Sequence, residues 1–128
     1  MGSPTELKPM PLLLLEDEPF IALDIEEVLS RAGVSDIHTV STCKEADSWL
    51  VETTPDVAII DPRLSDGICT AVVAKLVLRG VPFVVYSGDT DTLLDEEPAF
   101  GRGDWLKKPC GPEELVSAVG RAIVRTIK

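Results

Sequence analysis

Apolar residues in this chain come in short unbroken runs separated by longer stretches in which they recur at helical spacing. Pro11-Leu12-Leu13-Leu14-Leu15, Val57-Ala58-Ile59-Ile60 and Pro82-Phe83-Val84-Val85-Tyr86 are unbroken and of strand length, while Ile37 to Val40 and the brief Trp105-Leu106-Lys107 read as shorter strands. Runs without polar alternation suit strands covered on both faces, as in a parallel sheet. Between them, Ile21, Ile25, Val28, Leu29 and Ala32 keep a helical period, with Asp24, Glu26, Glu27 and Arg31 on the opposite face. Pro19 suits the first turn of that helix and Gly33 its end. Thr42-Cys43-Lys44-Glu45 has the spacing of a capping box and opens a second helix, which buries Ala46, Trp49 and Leu50. A third helix is predicted from about Ile68 to Leu78, ended by Gly80. A last helix opens at Pro112, with Leu115, Val119, Ala122, Ile123 and Thr126 on one face. The stretch 89–104 is acidic and poor in apolar anchors, and supports only a short or frayed helix around Thr92–Glu97.

The order is βαβαβαβαβα, which predicts a doubly wound α/β domain with a parallel five-stranded sheet and helices on both faces. Right-handed crossovers leave the flavodoxin-like strand order 2-1-3-4-5 as the common solution. Residues 10–128 then form one domain, and the polar, proline-punctuated residues 1–9 read as a disordered leader or an expression remnant.

Composition narrows the chemistry. The 128 residues carry a net charge of −10, which opposes nonspecific binding to nucleic acid or an anionic membrane. No apolar run approaches the ~20 residues of a membrane span, and none resembles a signal-peptide core. The three cysteines, Cys43, Cys69 and Cys110, are odd in number and widely spaced, so no disulfide or zinc site is expected, and a reducing, cytoplasmic setting fits best. The single histidine, His38, excludes a His-rich metal site.

In a parallel sheet all strands point their carboxyl ends to one edge, where ligands of open α/β sheets bind. The first strand ends at Glu16-Asp17, the third at Asp61, the fourth at Ser87, and the fifth at Lys108. Asp61 alone is as readily a turn former, since Pro62 and Asp66-Gly67 follow it. The set is more telling. The first and third strands are neighbours in this topology, so Glu16, Asp17 and Asp61 converge, and three anions at close range call for a cation. Hard oxygen ligands favour Mg²⁺. A hydroxyl and an ammonium opposite that cluster suit a phosphoryl group, with Asp61 as nucleophile and Lys108 and Ser87 on the phosphoryl oxygens.

With Leu15-Glu16-Asp17-Glu18-Pro19, Ile60-Asp61, Ser87-Gly88 and Lys108-Pro109 in that order, the chain resembles a response-regulator receiver domain of bacterial two-component signalling over about residues 11–127. The resemblance implies that Glu16, Asp17, Asp61 and the backbone carbonyl of Arg63 hold Mg²⁺ (or Mn²⁺), that Asp61 is the phosphoacceptor, that Ser87 is the switch hydroxyl, and that Lys108 pairs with the phosphoryl group. Trp105 falls where the family places its switch aromatic. The implied donor is a histidine kinase or histidine phosphotransfer protein. The expected output is a protein partner, with no catalysis beyond the domain's own aspartyl phosphorylation and dephosphorylation. The chain's length leaves the expectation of a stand-alone receiver that signals, relays or drains phosphate. The sequence departs from the family at Ser65, where a proline is common, and at Gly67, which comes early. The loop after Asp61 is therefore short. This, the weak fourth helix and the run from Pro82 to Asp89 resemble the receiver subclass marked by a PFxFATGY motif.

Three other readings fit less well. A haloacid-dehalogenase-type phosphatase wants a second Asp where Arg63 stands. A flavin-binding protein wants a hydroxyl-rich loop where Glu16-Asp17-Glu18 stands. A pseudo-receiver that is never phosphorylated has no need of Glu16, Asp17, Asp61, Ser87 and Lys108 together.

Overall fold

The computed structural model describes residues 10–88 and 97–127, with side chains through residue 124. The expectations for residues 1–9 and for most of the frayed helix around Thr92–Glu97 lie outside the described residues. The elements are β1 (Pro11–Leu15), α1 (Pro19–Arg31), β2 (Asp36–Val40), α2 (Cys43–Glu52), β3 (Val57–Ile60), a hairpin of β4 (Arg63–Leu64) and β5 (Gly67–Ile68), α3 (Thr70–Leu78), β6 (Phe83–Ser87), a 3-10 helix (Pro98–Arg102), β7 (Asp104–Lys107) and α4 (Pro112–Ile127). The main sheet is parallel in the order β2-β1-β3-β6-β7. This is the expected 2-1-3-4-5 order, renumbered by the hairpin.

The unbroken apolar runs divide between two cores by the period-2 geometry of a strand. Leu13, Leu15, Ala58, Ile60 and Val85 join Ala46, Leu50, Val72, Val73 and Leu76 on the face covered by α2 and α3. Leu12, Leu14, Val57, Ile59, Val84 and Tyr86 join Ile25, Leu29, Leu115 and Val119 on the face covered by α1 and α4. The helices α1 and α3 end in the same way. Gly33 (φ 108°) and Gly80 (φ 71°) take the left-handed conformation. Their N–H groups donate to the carbonyls of Ser30 and Val77, and those of Val34 and Val81 donate to Leu29 and Leu76. This paired bonding closes the helix and turns a valine back into the core in each case.

Three local expectations change. The third helix starts at Thr70, because Arg63 to Ile68 folds into a hairpin with Gly67 at φ 125°. The weakly apolar stretch before β7 forms a 3-10 helix that buries Phe100 completely and packs on α3. The third change concerns the cysteines. Cys43 and Cys69 form a disulfide, with Cα atoms 5.2 Å apart at a sequence separation of 26, while Cys110 is free. The expectation of no disulfide is corrected. Parallel topology sets α2 and α3 side by side on one face, joined also by Lys75 to Asp47 at 2.8 Å, so both helix beginnings meet at the carboxyl edge. Sequence spacing carries no trace of that meeting.

The capping box at α2 forms with one variation. Thr42 Oγ1 accepts from the Glu45 N–H at 3.0 Å, but Glu45 reaches back to the N–H of Ser41, one residue before the cap.

The path from the 3-10 helix into β7 leaves no room for a side chain at Gly103. A Cβ there would meet the Phe83 ring at 2.4 Å and the Phe83 carbonyl oxygen at 2.7 Å. Gly103→Ala is expected to cost about 1–3 kcal/mol of stability by overpacking, read as a lower urea midpoint with an unchanged slope.

Candidate functional site

Backbone bonds one residue beyond the strands set the level of the site. The register aligns Leu15 with both Val40 and Ile60, and Ile60 with Val85. The N–H of Glu16 donates to the Val40 carbonyl at 3.0 Å, that of Asp61 to Leu15 at 2.9 Å, and that of Lys108 to Ser87 at 2.9 Å. Each chemical residue is thus held by the last rung of the ladder before its strand gives way to a loop. A one-residue slip in any strand would turn its side chain to the other face.

Glu16, Asp17 and Asp61 bring carboxylate oxygens within 4.8 Å of one another. Lys108 Nζ lies 2.9 Å from Glu16 Oε1 and 2.8 Å from Asp61 Oδ2, with the Tyr86 ring centroid at 5.3 Å. The peptide between Lys108 and Pro109 is cis. Backbone donors orient the other oxygens. The Glu18 N–H donates to Glu16 Oε2 at 3.0 Å, and the Arg63 N–H donates to Asp61 Oδ1 at 3.1 Å. The Glu16 side chain is 1% exposed, those of Asp61 and Lys108 15% and 19%. One carboxylate therefore anchors the cluster from inside while Asp61 faces the solvent edge.

Three carboxylates face one ammonium, which leaves two formal negative charges in a partly dry site. Burial raises the Glu16 carboxyl above its ordinary pKa, and the bonds from Lys108 and the Glu18 N–H offset this only in part. Burial acts on Lys108 in the opposite direction to its two carboxylate bonds, which together prevail and raise its pKa. Both shifts hold protons in the cluster, as expected where negative charge is in surplus. The surplus, the hard oxygen donors and the open side fit a divalent cation such as Mg²⁺. Glu16, Asp17 and Asp61 would hold it.

Of the residues singled out from the sequence, the structure brings together Glu16, Asp17, Asp61 and Lys108. Arg63 joins them through its N–H, on the first strand of the hairpin. Ser87 closes β6 and is buried. Trp105 is half-buried on β7, and its indole N–H donates to the Phe100 carbonyl of the 3-10 helix at 2.9 Å. Two features escaped the sequence. Asp66, legible only as a turn residue, accepts from the N–H groups of Cys43 and Lys44 at 2.8 and 3.1 Å and so caps α2 from the hairpin tip. These bonds, that from Cys43 first, hold its carboxyl below the usual range. The Cys43–Cys69 disulfide is the second.

Known proteins share this fold. The family model of the response regulator receiver domain matches residues 12–120. The luminescence regulatory protein LuxO of Vibrio campbellii is 31% identical over 119 residues, covering 90% of this chain and 26% of its own. A protein-glutamate methylesterase/protein-glutamine glutaminase of Archaeoglobus fulgidus is 26% identical over 126 residues, covering 93% of this chain and 35% of its own. The chain thus spans between a quarter and about a third of the length of these relatives. Among solved structures, the PhyR stress response regulator superposes with a TM-score of 0.74 at 31% identity, over 94% of this chain and 47% of that one. The receiver domain of sensor histidine kinase PA1611 from Pseudomonas aeruginosa, which has a magnesium ion coordinated in its active site cleft, superposes with a TM-score of 0.78 at 23% identity, over 91% of this chain and 98% of that one. With the family model matching nearly the whole chain and the acidic cluster and lysine meeting at the sheet edge, this chain belongs to the response regulator receiver domain family.

Proposed function

We propose that this receiver domain takes a phosphoryl group from a histidine kinase or histidine phosphotransfer protein onto Asp61, in the bacterial cytoplasm, and passes the signal to a protein partner. The observation that carries this reading is the Asp61 carboxylate itself. It is at the solvent edge of the cluster, 2.8 Å from Lys108 Nζ and oriented by the Arg63 N–H. An Asp61 oxygen attacks the phosphorus of the phosphohistidine, the P–N bond breaks, and the imidazole leaves with the bonding pair. Charge builds on the phosphoryl oxygens as this happens. The Lys108 ammonium stabilises one of them and the Ser87 hydroxyl donates to another. Bound Mg²⁺ (or Mn²⁺) would neutralise phosphoryl and carboxylate charge, held by Glu16, Asp17, Asp61 and the Arg63 carbonyl. The domain acts as an enzyme only on itself, in forming and hydrolysing its own acyl phosphate.

The same contacts suggest the output. Ser87 drawn toward the phosphoryl group leaves space on the sheet face that Trp105 packs against. Trp105 is bonded to the 3-10 helix, so its movement shifts Pro98–Arg102 as well. The result is a population shift between two states of the surface around β7 and α4. The short 3-10 helix and the shortened loop after Asp61 support placement in the PFxFATGY subclass. The net charge of −10 favours a basic partner surface and disfavours DNA.

Incubation with acetyl phosphate and Mg²⁺ is expected to add one phosphoryl group by intact mass. The adduct should be lost on hydroxylamine treatment, be absent in Asp61→Asn, and form about a hundredfold more slowly in Lys108→Ala. No adduct and no Mg²⁺ binding would leave an interaction module that is never phosphorylated. A second expectation needs no phosphoryl group. Because the folded state raises the Glu16 pKa, it favours protonated Glu16, so this contribution to stability is present below the ordinary carboxylate pKa and is lost as pH rises through the raised value. Glu16→Gln should therefore gain on the wild type in urea unfolding as pH rises from 4 to 8. A difference that stays flat across that range would show that Glu16 ionises as freely in the fold as in the unfolded chain.

A further inference from the structure

Cys43 and Cys69 tie the loop beside Asp61 to a neighbouring helix. Cys43 is the first residue of α2 and Cys69 is the N-cap of α3. The Cys69 N–H also donates to the Pro62 carbonyl at 3.0 Å, which closes the segment 62–69 at its base, and the disulfide ties that closed end to α2. At the tip, Asp66 holds the same helix start through the Cys43 and Lys44 N–H groups. Arg63, whose N–H orients Asp61, lies inside this closed segment.

Two observations mark the bond as more than a staple. Both sulfurs sit at helix N-termini, where the peptide dipoles stabilise a thiolate and make each a good attacking and leaving group. Cys43 is partly exposed while Cys69 is buried at 1% exposure, so an incoming thiolate approaches from the Cys43 side. In the cytoplasmic setting of the proposed function, the thiol pool favours reduction of such a bond. We infer that Cys43–Cys69 is a reversible thiol–disulfide site, worked in the folded domain by low-molecular-weight thiols and disulfides, whose state sets how firmly the Asp61 loop is held.

The exchange balances as follows. A low-molecular-weight thiolate attacks Cys43 Sγ, the S–S bond breaks, and Cys69 leaves as the thiolate with the bonding pair and then takes a proton. A second small thiolate releases Cys43 from the mixed disulfide. The domain has gained two electrons and two protons, and a small-molecule disulfide carries the oxidation away. The reverse reaction, driven by that small disulfide, closes the loop again. In the reduced form only the exposed Asp66 cap and the Cys43 thiol, 3.6 Å from the Gly67 carbonyl, join the hairpin tip to the start of α2, both in competition with water. The loosened segment carries Arg63, so a divalent cation at Asp61 is held less well. This last consequence rests on the phosphoacceptor reading of Asp61, whereas the redox site does not.

The test uses the full chain with glutathione as the probe. Oxidised protein is equilibrated in native buffer with reduced glutathione, denatured in iodoacetamide, and weighed. The expected change is from one alkylated cysteine to all three, with far-UV circular dichroism unchanged before denaturation. In the metal-free protein, amides of residues 63–69 should exchange about tenfold faster once reduced. Mg²⁺ affinity, read by tryptophan fluorescence, should fall about tenfold, as for loss of a supporting contact behind a ligand. Cys43→Ser should reproduce the reduced form and ignore glutathione. Reduction that occurs only in urea, or amide exchange that is equal in the two forms, overturns the proposal. Normal alkylation and exchange responses in a protein that neither binds Mg²⁺ nor takes a phosphoryl group would uphold the redox site and sink the phosphoacceptor reading instead.

Discussion

The Lys108 ammonium, bridging Glu16 and Asp61, is the contact on which the site depends. Three carboxylates with oxygens within 4.8 Å of one another repel, and a positive charge among them offsets that repulsion. Lysine supplies that charge from the far side of the sheet, 47 residues beyond Asp61 and 92 beyond Glu16. It does so as a compact point charge on a flexible stem. The protein thus holds its acidic cluster in an incompletely neutralised state, which favours a divalent cation.

The sheet makes this possible by removing freedom elsewhere. Apolar residues cover both faces of β1, β3 and β6, so neither their register nor their direction can change without burying polar groups or exposing leucine and valine. The backbone bonds from Glu16, Asp61 and Lys108 extend that rigidity one rung past the last strand residue. Precision at the edge is therefore inherited from the core, and adaptability begins only in the loops. The only charged side chain among the buried residues described is Glu16. It is tolerated there because both of its oxygens have donors and because it serves the edge.

What was legible in the sequence follows from the same division. Three unbroken apolar runs, two shorter strand segments and the helical spacing between them imply the parallel sheet. Parallel strands in turn imply that Glu16, Asp17, Asp61, Ser87 and Lys108 share an edge. Each step needs only the period of the backbone and the handedness of crossovers. The less visible features are contacts between elements that periodicity does not relate. Phe100 is fully buried although it comes from a stretch with too few apolar neighbours to announce a helix, because the face of α3 supplies what the segment lacks. Asp66 reads as turn chemistry and does serve a turn, yet its carboxylate also caps a helix 22 and 23 residues earlier in the chain. An odd count of scattered cysteines hid a disulfide for the same reason.

These hidden contacts are concentrated at one place. The Asp66 cap, the Cys43–Cys69 bond and the Cys69 N–H bond to Pro62 all secure the short loop that follows Asp61. In the proposed function this loop presents a backbone carbonyl to a cation and a backbone N–H to Asp61, and it gains from being pre-positioned, since every degree of freedom it keeps must be frozen when the ligand arrives. A six-residue hairpin has no core of its own to supply that order. It borrows it from the starts of α2 and α3, the two rigid elements within reach, and the first N–H groups of α2 donate to the Asp66 carboxylate without disturbing the sheet. The loop that the sequence led us to expect to be short, with Ser65 and an early Gly67, is a hairpin that gains its order by attachment, and that attachment includes a covalent bond.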